Sequence, residues 1–583
     1  MTRFTLLTAA SAFALAGCNA PSETGAAPSP EAEAPEAPAA TAPASGMVAA
    51  ANPDAVEAGL AALRAGGDAV DAAIAVQTVL SLVEPQSSGI GGGAFMVHYE
   101  ADTGEVSVYN GRERAPMSAD EDLFINPETG APYPYVQAWR SGLSTGAPGA
   151  IAMLQMAHSD HGQLDWAENF TFAITLAENG FEVAPRLNNI SQRMAGFTDM
   201  EETGAAASYL FDANGEAWPV GHVLTNPDYA DSLRLIAQDW RNFYEGDLAR
   251  AIVATVNEAP RPGSLTVEDL ANYEPEKVSA LCSPYRDFQI CSAPPPASGG
   301  IAVGAILGML ETFEMSAHGP DTADGWALFI EASRLAYADR DHYVGDTAFV
   351  DVPVEGLLNR DYLAARAGLI DPAQAIPAVT HGTPPGADEQ PDDATDDRPG
   401  TSHFVIMDAD GDVVSMTTTV ESPFGSGRMV GGFFLNNQLT DFSFVARDDA
   451  GRLLPNAVQP GKRPRSSMSP TIVLDANGAF ELATGSPGGN SIIAYTAKSL
   501  VGMLDWGLSP QDAAALPNVV ARGDTVNIEE GFDETLMAEL RDRGFTIQGG
   551  RGENSGIHII RELEDGTLIG AADPRRDGTV EQP

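Results

Sequence analysis

The sequence predicts an α+β fold, because helical patterns dominate before residue 400 and strand patterns dominate after it. The regular strand–helix alternation that is typical of a parallel α/β sheet is not found in the sequence. The length of 583 residues permits two to four average domains or one large one, and the hydrophobic fraction of 44% is enough for a core. We therefore expect layers of helices and sheets without internal repeats.

Two packed helices are predicted at residues 52–84, where apolar residues recur at helical spacing. Gly66-Gly67 ends the first helix and Asp68 begins the second. A hairpin follows, with Asp102-Thr103-Gly104 as its turn. Residues 150–380 are mostly helical, interrupted by a hairpin at 276–293 and by a Pro/Gly turn that leads into the helix "GGIAVGAILGML". After Thr401, alternating strands "SHFVIM" and "VVSMTTTV" are joined through residues 408–412.

Two further motifs resemble ligand-binding sites, but a purely structural role explains each of them better. "GIGGGA" fits a dinucleotide-binding pattern, but it follows a helix and precedes a strand, which is the reverse of what such a site needs. "HSDH" at residues 158–161 contains metal-ligand types, yet no third ligand lies nearby and Gly162 follows it. We interpret it as a helix C-terminus.

The formal net charge of −49 argues against nucleic acid as a partner, because so acidic a surface repels phosphates. Residues 1–18 carry one cation, a short apolar run and small residues that end in Cys18. This pattern predicts a secretory signal whose "LAGC" ending resembles a bacterial lipobox, so we expect lipidation at Cys18 and a location in the cell envelope, on its periplasmic face. An ordinary cleaved signal peptide is the alternative. Residues 19–46 are rich in Pro, Ala and Glu and predict a disordered tether.

Cys282 and Cys291 flank a predicted turn, "SPYRD", between two strands. Outside the cytoplasm such a pair can oxidise, so we predict a cross-strand disulfide, with buried free thiols as the alternative. Two cysteines without a nearby histidine do not make a zinc site.

The bond between Gly400 and Thr401 separates an acidic, proline-containing linker, residues 380–400, from an apolar strand. A threonine hydroxyl can attack the preceding carbonyl, and hydrolysis of the resulting ester cuts the chain. The cut leaves Thr401 with an α-amine whose intrinsic pKa is about 7.7–8.0, so one residue supplies nucleophile and base. The simpler interpretation is that Thr401 only begins a strand.

Several motifs in order along the chain resemble the γ-glutamyltranspeptidase family: "EPQSSGIGGGAFMVHY", "GRERAP", "PPASGGIAVGAI", "TSHFVIMDADGDVVSMTTTVESPFGS", "GGFFLNNQLTDFS", "KRPRSSMSPTIV" and "TGSPGGN". The resemblance implies a four-layer αββα fold of the N-terminal nucleophile hydrolase type. It also implies a precursor that cuts itself between Gly400 and Thr401 into a large subunit, 47–400, and a small catalytic subunit, 401–583, that stay together. Thr401 is then the nucleophile, and Thr419 binds it and supports maturation.

The resemblance further implies how a γ-glutamyl group is held, without metal or organic cofactor. Its carboxylate is expected at Arg112, Ser466 and Ser467, and its ammonium at Gln438 and Asp441, with an additional contact from Glu421. The backbone N–H groups of Gly488 and Gly489 are expected to stabilise the oxyanion.

The expected activity is transfer of γ-glutamyl groups from glutathione-like donors, through a Thr401 ester, to water, amino acids or peptides. An acylase or a poly-γ-glutamate-processing enzyme is the alternative within the fold, and a non-catalytic lipid-tethered binding protein is the alternative outside enzymes. Residues 442–464 lie where some family members carry a lid; they have the length for a partial lid but lack an obvious aromatic latch.

Overall fold

The computed structural model describes residues 46–198, 200, 204–393, 395, 400–551 and 555–583. The predicted signal peptide, Cys18 and the tether up to residue 45 lie outside this part of the chain, as do residues 394 and 396–399 of the acidic linker. None of the helices in the described part is both long and apolar enough to cross a bilayer.

Strands and helices are both numerous, as the sequence predicts. The strands of the described residues are β1 (Met47–Ala50), β2 (Gly93–Glu100), β3 (Glu105–Asn110), β4 (Phe181–Glu182), β5 (Val223–Leu224), β6 (Glu276–Ser279), β7 (Leu281–Tyr285), β8 (Phe288–Ser292), β9 (Thr401–Met407), β10 (Val413–Thr419), β11 (Met429–Val430), β12 (Phe433–Phe434), β13 (Thr471–Leu474), β14 (Phe480–Gly485), β15 (Val519–Arg522), β16 (Thr525–Glu529), β17 (Thr546–Arg551), β18 (His558–Glu562), β19 (Leu568–Ala572) and β20 (Thr579–Glu581).

The α-helices of the same residues are α1 (Pro53–Arg64), α2 (Ala69–Val83), α3 (Tyr135–Trp139), α4 (Ala150–His161), α5 (Thr171–Asn179), α6 (Pro185–Thr198), α7 (Gly204–Leu210), α8 (Pro227–Gln238), α9 (Gly246–Val256), α10 (Val267–Ala271), α11 (Gly299–Leu310), α12 (Ala323–Tyr343), α13 (Val354–Leu357), α14 (Arg360–Ala367), α15 (Ile492–Leu504), α16 (Pro510–Ala515) and α17 (Glu534–Asp542).

Two antiparallel sheets form the centre of the protein. The first has the strand order β20-β1-β9-β10-β2-β3-β6, and the second has the order β19-β18-β14-β13-β8-β7. Smaller sheets are formed by β15-β16-β17, β11-β12 and β4-β5. Both large sheets combine strands from before and after Gly400, so the two predicted subunits share each sheet.

The alternation of side chains along the strands shows how the layers pack. In β9, Phe404 and Ile406 belong to a core shared with α1 and α2, whereas Val405 and Met407 face the second sheet. In β13, Val473 packs with α11, α12 and α15 on the other side of that sheet. The order is therefore helices, sheet, sheet, helices, which confirms the α+β, four-layer αββα prediction. Because both faces of β9 and β10 are covered, every residue in them is buried.

The local sequence signals near the N-terminus are confirmed. The Asn52 side chain accepts a hydrogen bond from the Asp54 N–H, and Pro53 occupies the first position of α1. Asp68 caps α2 with a reciprocal pair of hydrogen bonds to Asp71. β2 and β3 form the predicted hairpin, and α4 ends at His161, so "HSDH" is a helix C-terminus.

The predicted disulfide is present, because Cys282 and Cys291 stand directly opposite each other in β7 and β8 and their sulfurs are bonded. The predicted five-residue turn between them is wrong, since β7 continues to Tyr285 and only Arg286 and Asp287 connect the strands. Pro284 is tolerated in β7 because this strand lies at the edge of its sheet.

Candidate active site

Thr401 and Thr419 face each other at one end of the first sheet. Thr401 begins β9, Thr419 ends β10, and the two residues are paired directly in the antiparallel register. The Thr401 hydroxyl donates to the Thr419 hydroxyl over 3.3 Å, and the Thr419 hydroxyl donates to the Gly400 carbonyl oxygen over 2.6 Å. Both side chains are buried. The carbonyl before Thr401 is therefore held by the hydrogen bond that Thr419 donates.

Gly400 is required by a close approach of two backbone segments. A Cβ at this position would lie 1.8 Å from the carbonyl oxygen of Glu421, which is far inside van der Waals contact. On the other side of the bond, the Arg576 guanidinium donates to the Thr401 carbonyl oxygen over 2.8 Å. Contacts on both sides fix the position of the Gly400–Thr401 peptide bond.

Nine of the ten residues that the sequence analysis expects at the γ-glutamyl site line one small cavity of about 20 Å³, room for about one water molecule. These nine are Arg112, Thr401, Thr419, Glu421, Gln438, Asp441, Ser466, Ser467 and Gly489, and Met468 and Ile492 complete the lining. Gly488, the tenth, directly precedes Gly489 and is the N-cap of the short 3-10 helix Gly489–Ser491.

Arg112 and Asp441 form a buried ion pair at this cavity. An Nη2 of Arg112 lies 2.6 Å from Oδ2 of Asp441 and also donates to the Arg465 carbonyl, while Nε donates to the Pro464 carbonyl. The Gln438 amide donates to the same carboxylate oxygen over 2.6 Å. Gln438 and Asp441 lie on one 3-10 turn, which brings both side chains to the same side. Donors for a carboxylate and an acceptor for an ammonium are thus adjacent.

Ser466 and Ser467 are held by the second helical layer. The Ser298 N–H, just before α11, donates to the Ser466 carbonyl over 2.6 Å. The Arg340 guanidinium, near the end of α12, donates to the Ser467 hydroxyl over 2.6 Å. These contacts hold both serines in the cavity lining.

Glu421 has a left-handed backbone, with φ of 78°, which is uncommon for a residue other than glycine. Its buried carboxylate accepts a hydrogen bond from the Asn437 side-chain amide, and the Ser422 N–H donates to Oδ1 of Asn437 over 2.9 Å. Asn437 therefore stabilises the turn that carries Glu421 into the cavity lining. Backbone strain of this kind is common at functional sites.

Gly488 and Gly489 both have positive φ, at 137° and 58°. A Cβ on Gly488 would lie 2.6 Å from the Tyr495 ring, so this turn admits only glycine at that position. The turn leads from the end of β14 into α15 and brings backbone to the cavity wall.

The charge beside Arg112 depends on Glu113. Burial raises the pKa of the Glu113 carboxyl to about 8, and the nearby Arg112 guanidinium only partly opposes this rise. Glu113 is therefore protonated at neutral pH. The charge of Arg112 is then balanced by Asp441 and by any anion that enters the cavity.

Sequence reasoning missed four residues that position this site: Tyr135, Arg340, Asn437 and Arg576. Tyr135 lies with its hydroxyl 2.8 Å from the Ser422 hydroxyl. Asn437 carries a signal that could have been used, because it stands beside Gln438 in the quoted motif "NNQLTD". Arg340 and Arg576 carry no such signal, since they contact residues 127 and 175 positions away in the chain.

The segment 442–464, where a partial lid is expected, makes aromatic contacts through Phe444. Phe444 stacks on Phe124 with 4.4 Å between ring centroids, and its ring also lies 6.2 Å from that of Tyr135. The Arg447 guanidinium adds two hydrogen bonds to Glu121. These contacts hold the segment beside Tyr135.

A larger groove of about 400 Å³ lies next to Gly400. Gly400 lines it together with apolar side chains such as Trp139 and Phe197 and with the cations Arg186 and Arg193. Within the described residues, three metal-type ligands come together only at His342, His381 and Asp392, which do not line the Thr401 cavity.

Comparison with known proteins finds relatives that are named either glutathione hydrolases or acylases. The family model described as gamma-glutamyltranspeptidase matches residues 55–582. A glutathione hydrolase proenzyme of Bacillus subtilis strain 168 is 34% identical over 92% of this chain and 91% of its own length. The acylase ACY 1 proenzyme of Pseudomonas sp. strain SE83 is 33% identical over 92% of this chain and 93% of its own.

Among solved structures, a cephalosporin acylase from Bacillus halodurans matches with a TM-score of 0.81 and 30% sequence identity. The match covers 95% of this chain and 98% of that one.

Proposed function

The chain belongs to the γ-glutamyltranspeptidase family, and we propose that it is a self-cleaving precursor of a γ-glutamyltransferase and glutathione hydrolase. The observation that carries this proposal is the Thr401–Thr419–Gly400 arrangement. Thr401, whose hydroxyl can act as a nucleophile, begins a buried strand. The Thr419 hydroxyl donates a hydrogen bond to the Gly400 carbonyl, which is the group that Thr401 would attack.

Self-cleavage follows from this geometry by an acyl shift. The Thr401 hydroxyl oxygen attacks the Gly400 carbonyl carbon, and the negative charge that develops on the carbonyl oxygen is stabilised by the Thr419 hydroxyl. The C–N bond then breaks, the Thr401 nitrogen takes up the proton, and an ester joins Gly400 to Thr401. Water hydrolyses the ester, which leaves a Gly400 carboxylate and a Thr401 N-terminus.

In the mature protein, the new α-amine of Thr401 takes the proton from its own hydroxyl. Its intrinsic pKa of about 7.7–8.0 suits a base that works near neutral pH. The hydroxyl oxygen attacks the γ-carbonyl of the donor, the leaving amine takes the proton, and a γ-glutamyl ester forms on Thr401. Attack by water or by the amine of an amino acid or peptide then releases the γ-glutamyl group and restores the hydroxyl.

The cavity residues supply the contacts that a γ-glutamyl group requires. Its α-carboxylate and α-ammonium sit on one carbon, so their sites must be adjacent, as Arg112 and Asp441 are. We assign the carboxylate to Arg112, Ser466 and Ser467 and the ammonium to Gln438, Asp441 and Glu421. Gly488 and Gly489 face the developing oxyanion with backbone N–H groups.

The uncut chain has too little space at this cavity for a γ-glutamyl group. Gly400 lines the larger groove, so departure of the cut end joins the two spaces. Self-cleavage then both creates the base and opens the pocket.

The names of two relatives favour an acylase as the second candidate. An acylase does not require an α-carboxylate on the acyl group that it removes. Arg112, Ser466 and Ser467 together offer guanidinium and hydroxyl donors in one cavity lining, which suits a substrate that carries such a carboxylate.

For the location we propose the cell envelope, with the mature chain on the periplasmic face and attached through lipidated Cys18. The "LAGC" ending of the signal and the tether after it support this proposal. Metabolic labelling with a radioactive fatty acid, compared between wild type and Cys18→Ala, tests it.

The activity is tested with three 4-nitroanilides that differ in the charged groups on the acyl chain. γ-Glutamyl-4-nitroanilide carries both charged groups, glutaryl-4-nitroanilide lacks the amine, and butyryl-4-nitroanilide lacks both. We expect the γ-glutamyl compound to react fastest and the butyryl compound about 100-fold more slowly or worse, because charged hydrogen bonds contribute about 1.5–3 kcal/mol each.

The outcomes separate the candidates. Similar rates for all three compounds would contradict the γ-glutamyl proposal and favour the acylase, and absence of turnover by a fully cut protein would favour a binding protein. Thr401→Ala is the inactive control. Faster release of 4-nitroaniline when a dipeptide is added would indicate transfer to an amine.

A further inference from the structure

We propose that His342, His381 and Asp392 bind one divalent transition-metal ion of the zinc class, which attaches the acidic linker to the end of α12. One ligand atom from each residue lies within 4.8 Å of the other two. Nδ1 of His342 is 2.8 Å and Nε2 of His381 is 3.8 Å from Oδ1 of Asp392. Two imidazoles and one carboxylate match a three-ligand zinc site that leaves its fourth position to water.

The two imidazole rings are stacked face to face, and each presents a nitrogen to the same carboxylate. Their centroids are 3.5 Å apart and their planes differ by 12°. In a tetrahedral zinc site with bonds of about 2.0–2.1 Å, ligand atoms lie about 3.3 Å apart, and the two nitrogen–oxygen separations of 2.8 and 3.8 Å lie on either side of this value. A metal lies in the plane of each imidazole that binds it, so closure needs rotation of one of the two stacked rings together with a shift of the Asp392 side chain, which is 86% accessible.

A hydrogen bond fixes the tautomer of His381. Its Nδ1 lies 2.9 Å from the Gly382 carbonyl oxygen, which can only accept, so Nδ1 carries the proton of that bond. The lone pair of the neutral ring then stands on Nε2, the atom that faces Asp392. Metal-binding histidines commonly donate their other ring N–H to a backbone carbonyl in this way.

Other contacts hold the His381 loop in place. The Gly382 N–H donates to Asp339 on α12 over 2.7 Å, and the Tyr343 hydroxyl donates to the Gly382 carbonyl over 2.8 Å. Asp339 is itself paired with Arg366 of α14. Two of the three ligands are thus carried by the body of the protein, and the third comes from the linker.

The site lies between the end of α12 and the bond that we propose is cut. Arg340, two residues before His342, donates to Ser467 in the cavity lining, and Asp392 lies eight residues before Gly400. An ion at this site keeps the linker attached at Asp392 after the cut. Eight residues follow Asp392 up to Gly400, and a chain of that length spans about 28 Å when fully extended, enough to leave the pocket. This consequence rests on the proposed self-cleavage, whereas metal binding does not.

The test is a titration of untagged protein with Zn²⁺, followed by calorimetry in excess Mg²⁺, which occupies the many surface carboxylates without competing for imidazole. The same titration is run on the uncut Thr401→Ala chain, so that binding is measured whether or not self-cleavage occurs. We expect one high-affinity ion per chain in both. Substitution of Co²⁺ should give visible absorption bands of a four-coordinate site.

His381→Ala and Asp392→Asn should each weaken Zn²⁺ binding by about tenfold or more, since each removes one of three ligands. Asp392→Asn keeps the shape of an exposed side chain, so loss of folding does not explain its effect. His318→Ala is the matched control, because His318 and Asp324 form a similar pair, 3.7 Å apart, at the other end of α12. The absence of a high-affinity ion in wild type, or equal affinity in Asp392→Asn, would overturn the proposal.

Discussion

The Thr419 hydroxyl lies 2.6 Å from the carbonyl oxygen of Gly400 and donates a hydrogen bond to it. The same oxygen of Thr419 accepts from the Thr401 hydroxyl and from the Glu421 N–H, so it can donate in only one direction. Its donor is therefore committed to the carbonyl that self-cleavage attacks. Thr419 is therefore the group that stabilises negative charge on the Gly400 carbonyl oxygen during self-cleavage.

Replacement of Thr419 by alanine should slow self-cleavage by about 10²–10³-fold, the usual effect of removing one oxyanion donor. Accumulation of the two fragments over time, followed by denaturing gel electrophoresis, measures this rate. Thr419→Ser should restore most of it because the hydroxyl returns.

Thr418→Val is the control for that experiment. The neighbouring Thr418 hydroxyl is buried without a hydrogen-bond partner among the described residues, so valine of the same shape removes no contact. If Thr418→Val slowed cleavage as much as Thr419→Ala, a general change in β10 would explain both results and the role of Thr419 would be wrong.

Replacement of Arg112 by lysine should lower kcat/KM for a γ-glutamyl anilide by about 10–100-fold, because lysine keeps the charge but loses the fixed fork of donors. Most of the loss should appear in KM if Arg112 holds the substrate carboxylate throughout the reaction. Arg114→Lys is the matched control, since Arg114 is partly exposed and lies 3.8 Å from Glu276. Equal effects at both positions would contradict the assignment.

Glu113 should make the stability of the folded chain depend on pH. Its pKa rises from the ordinary 4.5 to about 8 on burial, so between these values the folded chain binds more protons than the unfolded chain. The contribution of Glu113 to the free energy of unfolding is therefore largest below about pH 4.5, and it falls as pH rises towards 8.

Thermal unfolding across this pH range tests the prediction, and the uncut Thr401→Ala chain is used so that no α-amine at residue 401 titrates. Glu113→Gln should make the decline in unfolding temperature with pH shallower. Glu105→Gln changes an exposed carboxylate on β3 and should leave the slope as it is. An unchanged slope in Glu113→Gln would mean that Glu113 is not protonated at neutral pH.

The Cys282–Cys291 disulfide should contribute to stability but not to catalysis. The two residues are nine positions apart, and closing so short a loop is worth about 2–3 kcal/mol in the chain-entropy model. The double variant Cys282→Ala/Cys291→Ala should unfold at a lower temperature with self-cleavage unchanged. A reductant should lower the unfolding temperature of wild type and leave that of the variant where it is, and a response of the variant would contradict this account.

The sequence predicts well those features that depend on neighbouring residues. The caps Asn52 and Asp68 mark helix starts by themselves, and the change from an acidic linker to an apolar strand points to Thr401 without any knowledge of the fold. The turn after Cys282 was misjudged for a physical reason: Pro284 suggests a turn, but at the edge of a sheet it remains in a strand.

Contacts between distant parts of the chain were beyond sequence reasoning. Arg340 looks like any charged residue of a long helix, and Arg576 lies in a short polar stretch near the C-terminus. Each acquires its role only when the two central sheets bring it to Ser467 or to Thr401. The pairing of Arg112 with Asp441 is of the same kind, because 329 residues separate them in sequence.

The measurement that tests the central claim most directly is the intact mass and N-terminal sequence of purified wild-type protein beside the Thr401→Ala variant. The account predicts two chains in wild type, the smaller one beginning Thr-Ser-His, and a single uncut chain in the variant. A single uncut wild-type chain, or a variant that is cut at the same bond, would contradict it.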